Sequence, residues 1–205
     1  MRAFIAIPID QNTTRILNDH VKTLKNTDWG KEIIWFPETN YHLTLQFLGS
    51  KLDPQKISDI AASMQNWFAE GMSFFDAEIR GIQLFPNNRL PHTIIASLQN
   101  TLLLQSLVRE IEEQLKPFGV NRSKQAFRPH ISLGRIPKTV QPESILIPAD
   151  LQNLYDITLT VDQLILYQSE LTSRFPCYTA LQTKLLERYD EYHQDNRLTT
   201  RDSIK

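Results

Sequence analysis

Two short stretches constrain this chain more than anything else in it. They are Tyr41-His42-Leu43-Thr44-Leu45-Gln46-Phe47-Leu48-Gly49 and Pro129-His130-Ile131-Ser132-Leu133-Gly134-Arg135. Each reads His, aliphatic, hydroxyl, Leu. In an extended strand successive side chains point to opposite faces. His42, Thr44 and Gln46 are therefore expected on one face, with Leu43, Leu45 and Phe47 on the other, and the second stretch sets His130 and Ser132 against Ile131 and Leu133. With 16 Thr and 12 Ser among 205 residues, a hydroxyl two places after a His arises by chance about one time in seven, so the bare triplet says little. The matched flanks, and the use of two of only five histidines in this way, say more. The pair predicts two strands that share one site.

The segments around them repeat a plan. Arg2 to Pro8 reads as a buried strand, and Asp10 offers an N-cap to a helix with Ile16, Leu17, Val21 and Leu24 inward. Trp35-Phe36-Pro37 reads as core packing and a turn, and the first His strand follows. Asp53-Pro54 opens a helix whose inner face is Ile57, Ile60, Ala61, Met64, Trp67 and Phe68, and Gly71 closes it. Phe74 to Phe85 is strand material ending in a turn at Pro86-Asn87-Asn88. Then comes a second strand over Thr93 to Leu98, a helix capped by Asn100 or Thr101 with Leu103, Leu107, Ile111 and Leu115 inward, a break at Pro117 to Gly119, and the second His strand. Strand, helix, His strand thus occurs twice, at 2–48 and 93–135, which reads as a duplicated half-unit bringing the His strands together about a pseudo-two-fold axis. Residues 154–168 and 175–183 are expected as a strand pair, residues 1–186 as one domain, and the polar residues 187–205 as a loosely held tail.

Composition narrows the partners. A net charge of −1 and a pI near 6.5 argue against a broad surface that tracks the phosphates of a long duplex, so any nucleic acid must be gripped locally. The single cysteine, Cys177, forms no internal disulfide and reads as a small buried hydrophobe. Met1 to Ile9 reads as a first strand and not as a signal peptide, and no run is long enough to span a bilayer, so the expectation is a cytoplasmic monomer with no membrane partner.

An imidazole titrates near neutrality, so one ring can be neutral while another is protonated. With a tetrahedral phosphorus between them, one takes a proton from the attacking oxygen and the other gives one to the leaving oxygen. Thr44 and Ser132 would then donate hydrogen bonds to the non-bridging oxygens. Arg128, two places before His130, and Arg135, at the end of that strand, are candidates to hold a phosphate oxygen. A metal site is the competing reading, with Glu38 and Asp53 as ligands approaching from loops, although neither His stretch supplies a nearby Cys, Asp or Glu. His20, His92 and His193 are assigned no chemical role.

With RAFIAIPI, WFPETNYHLTLQFLG, FRPHISLGR, LILYQSEL and CYTAL, the sequence resembles the two-histidine phosphoesterase superfamily, specifically the RNA 2′,3′-cyclic phosphodiesterases also called 2′-5′ RNA ligases. The resemblance spans about residues 1–183. It implies a bilobal α+β fold of two antiparallel sheets related by a pseudo-two-fold, with helices outside and the phosphate cleft between the lobes. It implies His42 as proton donor, His130 as proton acceptor, and Thr44 and Ser132 at the hydroxyl positions, Ser132 standing where many members have Thr. The reaction implied is hydrolysis of a terminal 2′,3′-cyclic phosphate to a 2′-phosphomonoester, without metal or other cofactor, on RNA or oligonucleotide ends and nucleoside 2′,3′-cyclic phosphates. Two alternatives stay open: 2′-5′ ligation by the reverse path, and a module that binds RNA ends without reacting.

Overall fold

A computed structural model describes residues 1–68, 71–123, 125–172 and 175–187. Among the described residues nine strands form in chain order: β1 (Ala3–Pro8), β2 (Ile34–Trp35), β3 (His42–Gly49), β4 (Phe75–Phe85), β5 (Thr93–Leu98), β6 (His130–Arg135), β7 (Thr158–Val161), β8 (Gln163–Leu171) and β9 (Pro176–Leu185). The helices are α1 (Gln11–Lys25), α2 (Pro54–Ser63), α3 (Leu102–Leu115) and the short α4 (Ala149–Gln152). Their starts follow the sequence signals. Asp10 accepts from the Thr13 N–H, Asp53 from Gln55, and Thr101 from Leu104, each satisfying an orphan donor of the first turn. α2 is shorter than its apolar spacing predicts, since the chain tightens into a 3-10 turn at Met64–Asn66. Trp67 is nevertheless buried, as expected.

The strands run β7-β4-β5-β6-β3-β1-β8-β9, with β2 pairing β6 beside this path, and the pairs are antiparallel. Two separate sheets were expected. Instead two four-stranded runs join at a narrow seam, where β3 meets β6 through the single pair Leu43–Ile131. Outward from the seam each run has the His strand first and then the strand that opens its strand-helix-His-strand unit. The segment 154–168 also differs from expectation. It breaks at Asp162, so that β7 pairs with β4 in one run and β8 with β1 in the other. One extended stretch thereby serves both runs, because its alternating burial fits either sheet.

Leu43, Leu45, Ile131 and Leu133 share one core with Leu17, Val21, Ile57, Leu104, Leu107 and Ile111 of the helices. Full burial of such side chains is worth about 1.5–3 kcal/mol each, which fixes the face of each His strand that turns inward. Among the described residues no helix is long and apolar enough to cross a membrane. Glu187, the first residue of the expected tail, is paired: its N–H donates to the Met72 carbonyl and its own carbonyl accepts from Phe74. The rest of that expected tail, 188–205, lies outside the described residues. Cys177 is exposed, not buried, because β9 is the outermost strand of its run.

Candidate active site

The burial of the two His strands matches position by position: His, half-buried; aliphatic, buried; hydroxyl, half-buried; Leu, buried; next residue, buried; next, exposed. After the Leu the simple alternation fails in both strands. β1 pairs Ile5 with Gln46 and Ala6 with Thr44, leaving Leu45 without a partner, and β5 pairs Ile94 with Gly134 and Ile95 with Ser132, leaving Leu133 without one. Each is a β-bulge, and an extra residue reverses which face the following side chains take. Gln46, expected beside His42, is therefore buried, its amide donating to Asn121 and Phe47 carbonyls at 3.5 and 3.4 Å. Phe47, expected inward, is 44% exposed and lines the cleft. The same bulge in β6 carries Arg135 to the cleft.

The Leu43–Ile131 pair fixes what faces what. Continued one step each way, that antiparallel register sets His42 opposite Ser132 and Thr44 opposite His130. Each imidazole thus has the other strand's hydroxyl across from it. The two histidines lie on the diagonal, where cross-strand neighbours are roughly 7–8 Å apart.

Both rings are held by the same device. His42 Nδ1 lies 2.8 Å from the Asn40 carbonyl and His130 Nδ1 2.7 Å from the Arg128 carbonyl, in each case two residues earlier. A carbonyl only accepts, so each Nδ1 carries its hydrogen and each Nε2 is the nitrogen left with a lone pair. Burial lowers the pKa of both rings. For His42 the nearby His130 charge lowers it further, and for His130 the Arg128 guanidinium does. The backbone bonds pull in the opposite direction in both. That His42 responds to the charge of His130 is itself a sign of their proximity.

A cleft of about 370 Å³ opens beside this pair, with His42, Thr44, Ser132 and Arg135 in its lining. Among the described residues the hydroxyls of Thr44 and Ser132 have no hydrogen-bond partner, so both are free for a ligand. Its walls bring in side chains that sequence reasoning missed. Arg2 lies over the Phe47 ring at 4.5 Å, and Arg135 is 5.9 Å from the ring of Phe36. The His42 ring is 4.9 Å from Phe4 and 5.1 Å, edge-on, from Tyr178. Burial raises the Tyr178 pKa while Arg2 and Arg135 lower it, so both cations converge on one hydroxyl. Among the described residues no carboxylate lines the cleft. Trp35 packs as expected, its indole N–H donating to the Gly30 carbonyl, but Phe36 beside it belongs to the cleft wall.

Arg128 stands elsewhere. Its guanidinium donates to the Pro86 carbonyl and lies 4.6 Å over Phe85, and it lines a second pocket with Phe85 and Phe127 rather than the cleft of Thr44 and Ser132. Phe85 in turn stacks on His130 at 4.5 Å. Among the described residues no three of His, Cys, Asp or Glu gather as metal ligands. Of the two acids considered for that reading, Asp53 caps α2 and Glu38 does not line the cleft.

The fold and this site define a class of protein in which two matched strands each carry a histidine followed two residues later by a hydroxyl. The 2′-5′ RNA ligase superfamily model matches residues 20–172, and the chain belongs to that superfamily of two-histidine phosphoesterases. An RNA 2′,3′-cyclic phosphodiesterase of Thermotoga maritima is 30% identical over 182 residues, covering 88% of this chain and 93% of the relative. Another of the same name, from Methanothermobacter thermautotrophicus, is 29% identical over 188 residues, covering 89% and 97%. In fold the chain is similar to the crystal structure of E. coli LigT complexed with 3′-AMP, with a TM-score of 0.70 at 21% identity over 91% of this chain and 98% of that one.

Proposed function

We propose that this protein is an RNA 2′,3′-cyclic phosphodiesterase that opens a terminal cyclic phosphate to a 2′-phosphomonoester. The observation that carries the reading is the pair of Nδ1-anchored imidazoles on facing strands, each opposite a free hydroxyl. Relatives covering most of the chain bear the same activity in their names. In this mechanism neutral His130 takes a proton from water as its oxygen attacks phosphorus, and protonated His42 gives one to the departing 3′ oxygen. Thr44 and Ser132 donate to the non-bridging oxygens as charge builds on them. Arg135 and Arg2 supply positive charge on the cleft wall, where no carboxylate competes among the described residues. Phe4, Tyr178 and Phe47 give the terminal nucleoside apolar surface on the His42 side. A non-reacting RNA-end module needs neither two free Nε2 atoms nor two free hydroxyls, which favours the enzyme.

The test uses a short RNA ending in a 2′,3′-cyclic phosphate, with EDTA present and phosphorus NMR of the product. Conversion to the 2′-monoester, reduced about 10²–10⁴-fold by either His42→Ala or His130→Ala, is the expected result. Binding without turnover, or turnover indifferent to both substitutions, contradicts it.

A further inference from the structure

We propose that Asn40 and Arg128 are positioning residues: the side chain of each ties to a distant strand end the peptide whose carbonyl orients a histidine, and the cation of Arg128 marks His130 as the base. This rests on the function proposed above and says what prepares its two rings. The same arrangement stands at both motifs. The Asn40 carbonyl accepts from His42 Nδ1 at 2.8 Å while its side-chain amide donates to the Pro176 carbonyl at 2.8 Å. The Arg128 carbonyl accepts from His130 Nδ1 at 2.7 Å while its guanidinium donates to the Pro86 carbonyl at 2.9 Å. Pro176 opens β9 and Pro86 follows β4, so neither tie reaches the histidine's own strand or a strand paired with it. Each proline also stands beside a ring that touches the same histidine. Tyr178, two residues after Pro176, meets His42 edge-on at 5.1 Å, and Phe85, just before Pro86, stacks on His130 at 4.5 Å. One tie thus fixes both the carbonyl that orients an imidazole and the aromatic wall against it.

The carbonyls need such a hold because both lie outside the strands. Asn40 ends a 3-10 turn over Glu38–Asn40, and Arg128 lies in a stretch without regular secondary structure before β6. An acceptor that swings lets the imidazole turn or change tautomer, and a misplacement of about 1 Å can cost roughly 10²-fold in rate.

The two ties differ in one respect: Asn40 is neutral and Arg128 is a cation. Burial is the largest cause lowering the pKa of each ring, and the carbonyl bonds oppose it. Beyond these, Arg128 lowers His130, and His130 lowers His42. The effect on His42 exists only while His130 is protonated. Once Arg128 has favoured loss of that proton, His42 is relieved, and the pair keeps its proton on the acid. Among the described residues the other titratable groups at the rings are Tyr167 and Tyr178 beside His42, whose pKa values burial raises, with Arg2 and Arg135 in the cleft lining.

The experiment follows tautomer and titration of both rings by nitrogen NMR of isotope-labelled histidine, assigned from His42→Ala and His130→Ala. Alongside it, kcat and KM are measured on a nucleoside 2′,3′-cyclic phosphate. In the wild type both neutral rings are expected as the Nδ1–H tautomer. Asn40→Ala is expected to give mixed tautomers at His42 alone and Arg128→Ala at His130 alone, each lowering kcat about tenfold with little change in KM. Arg128→Ala is also expected to raise the His130 titration midpoint, and Arg128→Lys, which keeps the charge, to leave it low. A general loss of stability does not produce a change confined to one ring. Tautomers that neither alanine variant alters, or a raised KM with kcat preserved, overturn the positioning role. A His130 midpoint that Arg128→Ala leaves in place overturns the part assigned to its charge. A wild type without turnover, whose rings nevertheless respond as expected, overturns the phosphodiesterase and leaves the ties standing.

Discussion

At each histidine the nitrogen nearer the backbone is occupied before any substrate arrives. The carbonyls of Asn40 and Arg128 select the tautomer. In the proposed mechanism the hydroxyls of Thr44 and Ser132 meet charge that builds only in the transition state, so Thr44→Val and Ser132→Ala are expected to lower kcat by about 10²–10³-fold with little change in KM, measured by steady-state kinetics on a cyclic mononucleotide. Arg135→Ala is expected to lower kcat/KM by about ten- to a hundredfold, the loss of a charge-assisted hydrogen bond of about 1.5–3 kcal/mol. Thr44, Ser132, Arg135 and both histidines could be singled out in the sequence because each set lies within a few residues on one strand. Arg2, Phe4 and Tyr178 could not, since only strand pairing brings β1 and β9 beside His42.

Among the elements, the bulges decide what the cleft contains. A Leu three places after each His satisfies a simple strand and a bulged one equally well, so periodicity alone put Phe47 and Gln46 on each other's faces. It likewise merged β7 and β8, where Asp162 is the only residue between strands that serve opposite runs. The caps and most of the helix faces were legible because each depends on local spacing; the exception is Leu103 of α3, expected inward but 57% exposed, where a run of three leucines let Leu104 take the buried position instead. β6 is also held by close contact with β2: a Cβ on Gly134 would come 2.9 Å from Ile33 Cγ2 and 3.0 Å from Trp35 Cε3. Gly134→Ala is therefore expected to destabilise by about 1–3 kcal/mol through overpacking. In thermal unfolding each kcal/mol appears as a Tm lower by about 2–4 °C for a chain of this size. An unchanged Tm would mean that β2 yields without cost.

Across the whole molecule, a net charge of −1 coexists with a cleft whose wall, among the described residues, carries two arginines and no carboxylate, which reconciles a near-neutral chain with an anionic ligand. The cleft also links folding to pH. Both histidines have folded-state pKa values below the ordinary one, so the unfolded chain binds more protons in the interval between. The stability they contribute is full above the ordinary histidine pKa of about 6.5 and is lost as pH falls through the depressed values. Inorganic phosphate favours the protonated rings, so Tm measured in phosphate is expected to fall less on acidification than Tm in a non-coordinating buffer. The His42→Ala, His130→Ala double variant is expected to lose that difference. The most direct measurement of the acid-base pair is the pH profile of kcat/KM for wild type and for each single histidine variant. Wild type should give a bell centred on the acid side of an ordinary histidine, His130→Ala should lose the acidic limb, and His42→Ala the alkaline limb. Both limbs surviving in either variant, or the same limb disappearing from both, would contradict the assignment of one ring as base and the other as acid.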